Sequence, residues 1–349
     1  IAEGYSMVTV TQSMASGAVA DFTADKTSGP APLTVQFADK STENPTSWAW
    51  DFDNDGVVDS IEQNPSYEYT AVGTYTVKLT VSNDLGSDEE IKEDYITVTD
   101  PAPKTWYVDD SGGADFSSIQ EAITAARAGD TIIVKDGTYT ENITVDRSLV
   151  IKSENGAVKT TVLAANQNAD VFKVTAENVT IDGFTVTGAT GTDKAGICIT
   201  KAGSLPSGYC TVKNNVCSGN YRGIYINCNN NTVSNNTCNS CGSDGIYISY
   251  ATGNTIFGNT CKNNTRYGIN IMDGTESNNF NANTLDSNQM GIRIKGAKNS
   301  TFTNNIISNN GKGIELATQP VGNEFYLNNL INNETQVSNG YNGNTENSW

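Results

Sequence analysis

The chain has 349 residues, of which 21 are basic and 39 acidic, and it contains no histidine, so its formal net charge is -18. That length accommodates two domains with cores of their own, while the acidity disfavours a nucleic-acid partner and favours divalent cations. Lack of histidine removes the commonest general base, the serine triad and most zinc and copper centres.

No apolar run reaches the ~18 residues needed to span a bilayer, so no transmembrane segment is expected. The charge is uneven: residues 1–196 hold 31 acids against 12 bases, and residues 197–349 hold 8 against 9. A composition rich in Asn, Thr, Ser and Gly reads as extracellular β-structure. Ile at position 1 is expected to follow a processing site or to be the first ordered residue.

In chain order, residues 1–17 form a leader in which "YSMVTVTQS" has strand character before "SMASG" breaks it. Residues 18–100 alternate apolar and polar positions between turns, as in "PLTVQF", "SWAWDF" and "TYTVKLTVSN", which predicts a small β-sandwich. Within it, "DFDNDGVVDSIE" has the spacing of a calcium loop. Asp51, Asp53, Asp55 and Asp59 supply hard oxygens, Val57 a backbone carbonyl, Gly56 the turn, and Glu62 the twelfth position. Calcium is the expected cofactor; the plainer alternative is a set of solvated turn acids. No helical pattern flanks the loop, so it is not an EF-hand.

The segment also resembles the PKD domain, an immunoglobulin-like sandwich of extracellular proteins. "WAWDFDNDG" from Trp48 stands where that family has a Trp-Asp-Phe strand and turn, and "GTYTVKLTVSNDLGS" from Gly73 matches its last hairpin. The resemblance implies a spacer or adhesive module. Residues 101–104 then read as a stiff linker.

Residues 105–130 contain the one convincing helix, with Phe116, Ile119, Ile123 and Ala126 on one face and Gly129 after its end. Residues 131–349 are repetitive. "GICI", "GIYI", "GIYI", "GINI", "GIRI" and "GIEL" begin at Gly196, Gly223, Gly245, Gly268, Gly291 and Gly313, at spacings of 27, 22, 23, 23 and 22. Each repeat also carries an asparagine at Asn215, Asn236, Asn259, Asn283, Asn305 or Asn328, and a second corner position at Asn220, Cys241, Asn264, Asn288, Asn310 or Asn333. A coil this short cannot bury its apolar positions alone, but stacked coils can, with like residues over like at ~4.8 Å. The pattern therefore predicts a parallel β-helix of roughly ten coils whose asparagines form corner ladders.

With "FSSIQEAI" and "GDTIIVKDGTYTENI" ahead of it, this part resembles the right-handed parallel β-helix of the pectate-lyase-like superfamily, in particular the NosD-like group. That scaffold carries lyases, hydrolases, esterases and proteins without chemistry.

Three sets of residues are candidates for function on the coils. Cys217, Cys238 and Cys261 share a stacked position, as disulfide partners or as interior fillers, and Cys241 completes a "CNSC" motif. Tyr225 and Tyr247 stack on the outer face, either as a carbohydrate platform or as cover for the sheet. Asp182, Asp193 and Lys194 are the best acidic cluster, against exposed turn residues as the alternative; Asp244, Asp273, Asp286 and Glu315 occupy unlike repeat positions and do not pair. Seven N-x-[ST] sequons occur, at Asn142, Asn178, Asn230, Asn235, Asn263, Asn299 and Asn333. Composition alone predicts about six in residues 197–349, so their number carries no signal.

The sequence thus points to an all-β, extracellular, non-catalytic structural or adhesion protein, similar to archaeal surface proteins. Self-association by strand donation from the leader and by coil stacking is expected, with cell-surface polysaccharide as a further partner. The rival reading is a polysaccharide lyase or hydrolase, or a carbohydrate-binding module.

Overall fold

A computed structural model describes residues 16–200, 208–341 and 346–349, and the expected leader strand lies almost wholly outside them. The chain divides between Ala102 and Pro103 into two compact units.

In the first unit, β1 (Phe22–Ala24), β3 (Leu33–Asp39) and β5 (Ser66–Tyr69) form one antiparallel sheet. The other sheet runs β2 (Ser28–Pro30), β7 (Gly86–Thr99), β6 (Gly73–Asn83), β4 (Ser47–Asp51). Period-two alternation explains the pairing of faces: Leu33, Val35 and Phe37 point inward from β3, and Val77, Leu79 and Val81 from β6. Aromatic side chains fill the centre, with Trp50 against Phe22 at 5.2 Å and Phe37 stacked on Phe52 at 4.8 Å between ring centroids. Their polar atoms are satisfied locally: Trp50 Nε1 donates to the Glu62 carbonyl (2.8 Å) and the Tyr69 hydroxyl to the Phe52 carbonyl (3.0 Å). These two bonds tie the calcium-loop segment to the core at both ends.

The second unit is a parallel β-solenoid. Among the described residues its three sheets hold ten, nine and nine strands. The first sheet starts at β8 (Thr105–Val108), beside Thr131–Val134. Helix α1 (Ile119–Ala125) packs Ile119, Ala122 and Ile123 onto the interior of the early coils. Its start is set by Ser118, whose hydroxyl accepts from the Glu121 amide at 3.2 Å, in a Ser-x-x-Glu capping arrangement.

Register is strict. Ile197, Ile224, Ile246, Ile269, Ile292 and Ile314 lie one over another, as do Val212, Val233, Ile256, Phe280, Phe302 and Phe325. The phenylalanines stack nearly parallel at 4.7 Å, and Trp349 extends the column at 4.4 Å.

Corner asparagines hold the coils together. Asn236 Nδ2 donates back to the Val212 carbonyl (2.9 Å) and forward to Asn259 Oδ1 (3.0 Å), while that same oxygen accepts the Asn236 backbone N–H (3.0 Å). The bonds repeat through Asn259, Asn283 and Asn305 to Asn328. At the second corner Cys241 interrupts a ladder that resumes at Asn264 and passes through Asn288 and Asn310 to Asn333. A third ladder, not anticipated from the sequence, runs Asn231, Asn254, Asn278, Ser300, Asn323, Asn347.

Candidate functional site

The calcium-loop segment leaves β4 at Asp51, whose carboxylate is 5% exposed and accepts the backbone N–H groups of Asp55 (3.2 Å) and Gly56 (3.0 Å). Gly56 has φ +90°, a left-handed conformation that side chains resist, and this turn folds the loop back. Asp59 returns to accept the Phe52 N–H at 2.8 Å. As a result, carboxylate oxygens of Asp51, Asp53 and Asp59 lie within 4.8 Å of one another. Calcium at 2.3–2.6 Å from each ligand holds any two of them within about 5.2 Å, so the group has the right span. Partial burial, and then the charges of Asp55, Asp59 and Asp51, push the Asp53 carboxyl up from its ordinary value.

The carboxylates of Asp55 and Glu62 do not join this group: Asp55 turns its carboxylate to the Val57 N–H (2.8 Å), and Glu62 gives its backbone carbonyl to Trp50.

On the outer face of the third sheet, the one built from the Gly-Ile strands, Tyr225 and Tyr247 are register partners. Their rings meet edge to face, at 67° and 5.3 Å, and the Arg222 guanidinium lies 3.8 Å from the Tyr247 centroid. One face of Tyr247 is therefore already occupied by a cation, and the pair is not a flat platform. Arg222 also bonds Asp193 at 2.7 Å and approaches Asp244 at 3.5 Å. Burial pushes the Asp244 carboxyl up, against the pull of the Arg222 charge.

Other acids are also met by bases: Asp182 by Lys213 (3.4 Å), Asp273 by Lys295 (3.2 Å), Asp286 by Lys262 (3.7 Å), and Glu315 by both Arg293 (3.4 Å) and Lys312 (2.6 Å). Asp182 and Asp193 thus belong to separate ion pairs, on strands or turns of different sheets, and the expected cluster with Lys194 is not assembled.

All seven cysteines are buried, and Cys198, Cys210, Cys217, Cys238, Cys241 and Cys261 keep free thiols. Cys217, Cys238 and Cys261 form an interior column that continues as Leu285, Ile307 and Leu330. In-register parallel strands keep neighbouring Cβ atoms about 4.8 Å apart, beyond the ~3.5–4.5 Å that a disulfide requires. The hydrogen bond each shares with Cys238, and then burial, push Cys217 and Cys261 well above the ordinary thiol value. Cys238 receives both bonds, but a lone thiolate in an apolar interior with no cation is too costly, so the column is neutral. Cys241 stands apart at a corner, its thiol bonding the Cys217 carbonyl at 3.5 Å.

Sequence reasoning missed the Arg222 cluster and the third ladder. The signal for the ladder was an Asn before the first-sheet strand of each coil, hidden in the run Asn229–Asn231 and broken by Ser300.

Two family models match: "Right handed beta helix region" over residues 161–330 and "PKD domain" over residues 11–98. The second unit is accordingly a right-handed β-solenoid of about ten turns, and the first is a PKD domain. A curated relative, the "Cell surface glycoprotein" of Methanothermus fervidus, is 35% identical over 102 residues, which is 29% of this chain and only 15% of that protein's length. The mannuronan C-5 epimerase AlgE6 A-module of Azotobacter vinelandii is similar over 66% of this chain and 92% of its own, at 15% identity and a TM-score of 0.47. An alginate lyase from Paenibacillus sp. covers 67% and 99%, at 16% identity and a TM-score of 0.44. The PKD1 domain of the Vibrio cholerae metalloprotease PrtV is 33% identical, covering 24% of this chain and 98% of its own, with a TM-score of 0.20. No helix among the described residues is long and apolar enough to cross a membrane.

Proposed function

We propose that the chain is a non-catalytic structural and adhesion protein of the cell surface: a calcium-binding PKD domain joined to a β-solenoid that self-associates and meets surface polysaccharide. The observation that carries the absence of catalysis is the pairing of acids on the solenoid. Hydrolysis needs two carboxylates facing one bond, and lyase or epimerase chemistry needs an available base. Here Asp182, Asp193, Asp244, Asp273, Asp286 and Glu315 each face a Lys or Arg instead. The likeness to a surface glycoprotein supports the location. Calcium at Asp51, Asp53 and Asp59 is part of the same proposal, resting on their convergent oxygens.

The test has two arms. Brief protease treatment of intact cells is expected to release the protein, and purified protein is expected to leave a panel of neutral and uronate polysaccharides unchanged. Retention inside the cell refutes the location; turnover refutes the absence of catalysis.

A second reading, polysaccharide binding or turnover on the outer face of the third sheet, is favoured by the grouping of Arg222, Tyr225, Tyr247 and the buried Asp244. Glycan binding lost in both Tyr225→Ala and Tyr247→Ala, or turnover lost in Asp244→Asn, would establish it.

A further inference from the structure

Although the number of sequons is uninformative, the solenoid sorts them by whether the acceptor nitrogen is free. Asn333 is 8% exposed and belongs to the second ladder; its Nδ2 donates to the Ile307 carbonyl (2.9 Å) and Gln336 Oε1 (2.8 Å). Asn142 is half-buried and its Nδ2 donates to the carbonyls of Asn166 (3.2 Å) and Asp170 (2.9 Å). A glycan on either nitrogen would break those bonds and displace a neighbouring coil.

The remaining sequons sit where the chain turns a corner. Asn178, Asn230, Asn235 and Asn263 are exposed, with φ of +56°, +57°, +55° and +56°, and their side-chain amides donate no hydrogen bond among the described residues. Asn230, Asn235 and Asn263 each stand one residue ahead of an inward ladder residue, on the exposed side of the corner. On the following coil the positions over Asn230 and Asn235 are Gly253 and Gly258, where even a Cβ would come within 2.5 Å of the asparagine oxygen. The residue over each therefore contributes no side chain. Asn299 has the same geometry, with φ +49° and Gly322 over it, but its Nδ2 donates to Glu276 at 3.0 Å. The sequon hydroxyls Thr180, Thr232, Thr237 and Thr265 are half-buried or exposed.

We infer that Asn178, Asn230, Asn235 and Asn263 are acceptors of N-linked oligosaccharide, displayed on all three corners of the solenoid. The donor is of the class of lipid-linked oligosaccharides. Asparagine Nδ2 bonds to the anomeric carbon of the first sugar, the bond from that carbon to the phosphate oxygen breaks, and the lipid phosphate leaves with the electron pair. The amide nitrogen gives up one proton to the transferase, and nothing is oxidised or reduced. Because such transfer happens on the outer side of a membrane, the inference rests on the surface location proposed above.

The experiment is glycopeptide mass spectrometry of the protein purified from its own cells, run beside the protease release of intact cells. Peptides containing Asn178, Asn230, Asn235 and Asn263 are expected to carry sugar masses, Asn299 a lower occupancy, and Asn142 and Asn333 none. The variant Thr265→Ala, at an exposed position, is expected to lose the addition at Asn263 alone with an unchanged melting midpoint. Bare corner asparagines on a released protein overturn the inference and leave the surface location standing. Bare asparagines on a protein that is not released overturn both, and a modified Asn333 overturns the sorting by ladder geometry.

Discussion

Asp130 shows how much one side chain organises the start of the solenoid. Its carboxylate accepts the Lys104 N–H (2.7 Å), the Arg127 N–H (2.9 Å) and Trp106 Nε1 (2.9 Å). Burial alone would raise this carboxyl, but the three donors outweigh it and hold it below the ordinary aspartate value. A depressed acid adds stability above its unfolded pKa and loses it as pH falls through the folded one. Asp130→Asn is therefore expected to cost about 2 kcal/mol at neutral pH, with the gap to wild type closing below about pH 4, in denaturant titrations over a pH series.

Asp53, in the PKD loop, carries the opposite sign. Its carboxyl is raised by burial and by its neighbours, so without a cation its ionisation costs the folded loop stability. Added calcium is expected to raise the melting midpoint of the PKD transition near neutral pH by several degrees. Asp51→Asn should abolish that gain, whereas Glu62→Gln, outside the converging group, should retain it. An equal loss in both variants would remove Asp51, Asp53 and Asp59 as the site.

At the level of elements, the ladders and the thiol column make contrasting predictions. Truncating Asn259 leaves the buried Asn236 N–H without its acceptor and takes one partner each from Asn236 Nδ2, the Val233 carbonyl and Asn283 Oδ1. Asn259→Ala is expected to cost about 4 kcal/mol, and Asn328→Ala, whose amide donates only to the Phe302 carbonyl, roughly half as much. Cys261→Val should cost under about 1.5 kcal/mol, since Leu285 already fills the same column one coil later. Melting is expected to be indifferent to reductant; a large shift would show a disulfide in the column.

The contrast also explains what could be read in advance. Gly-Ile strands and two asparagine corners were legible because each repeats at nearly constant spacing and the period is the structure. The third ladder was not, because its members hide among other asparagines and one of them is Ser300. Arg222 escaped notice for another reason: its contacts reach from Asp193 to Asp244, across coils and away from any repeated position. Of the acid loop, oxygens of Asp51, Asp53 and Asp59 converge, but the spacing could not show that Asp55 would turn to Val57 or that Glu62 would serve Trp50 through its backbone.

For the molecule as a whole, each coil offers the next nearly the same strand edges, apolar columns and ladder acceptors. Deleting residues 246–268, which joins Gly245 to Ile269, removes one spacing of 23 and restores every column. That variant is expected to melt cooperatively with unchanged β-signal per residue, while removing about half as many residues should leave an aggregating chain. Since neighbours of every storey are interchangeable, natural selection could lengthen or shorten the solenoid by whole storeys through slippage in the gene, without devising a new contact. Solenoid length would then be a heritable, adjustable dimension, and strains of one species should differ there in multiples of a single storey.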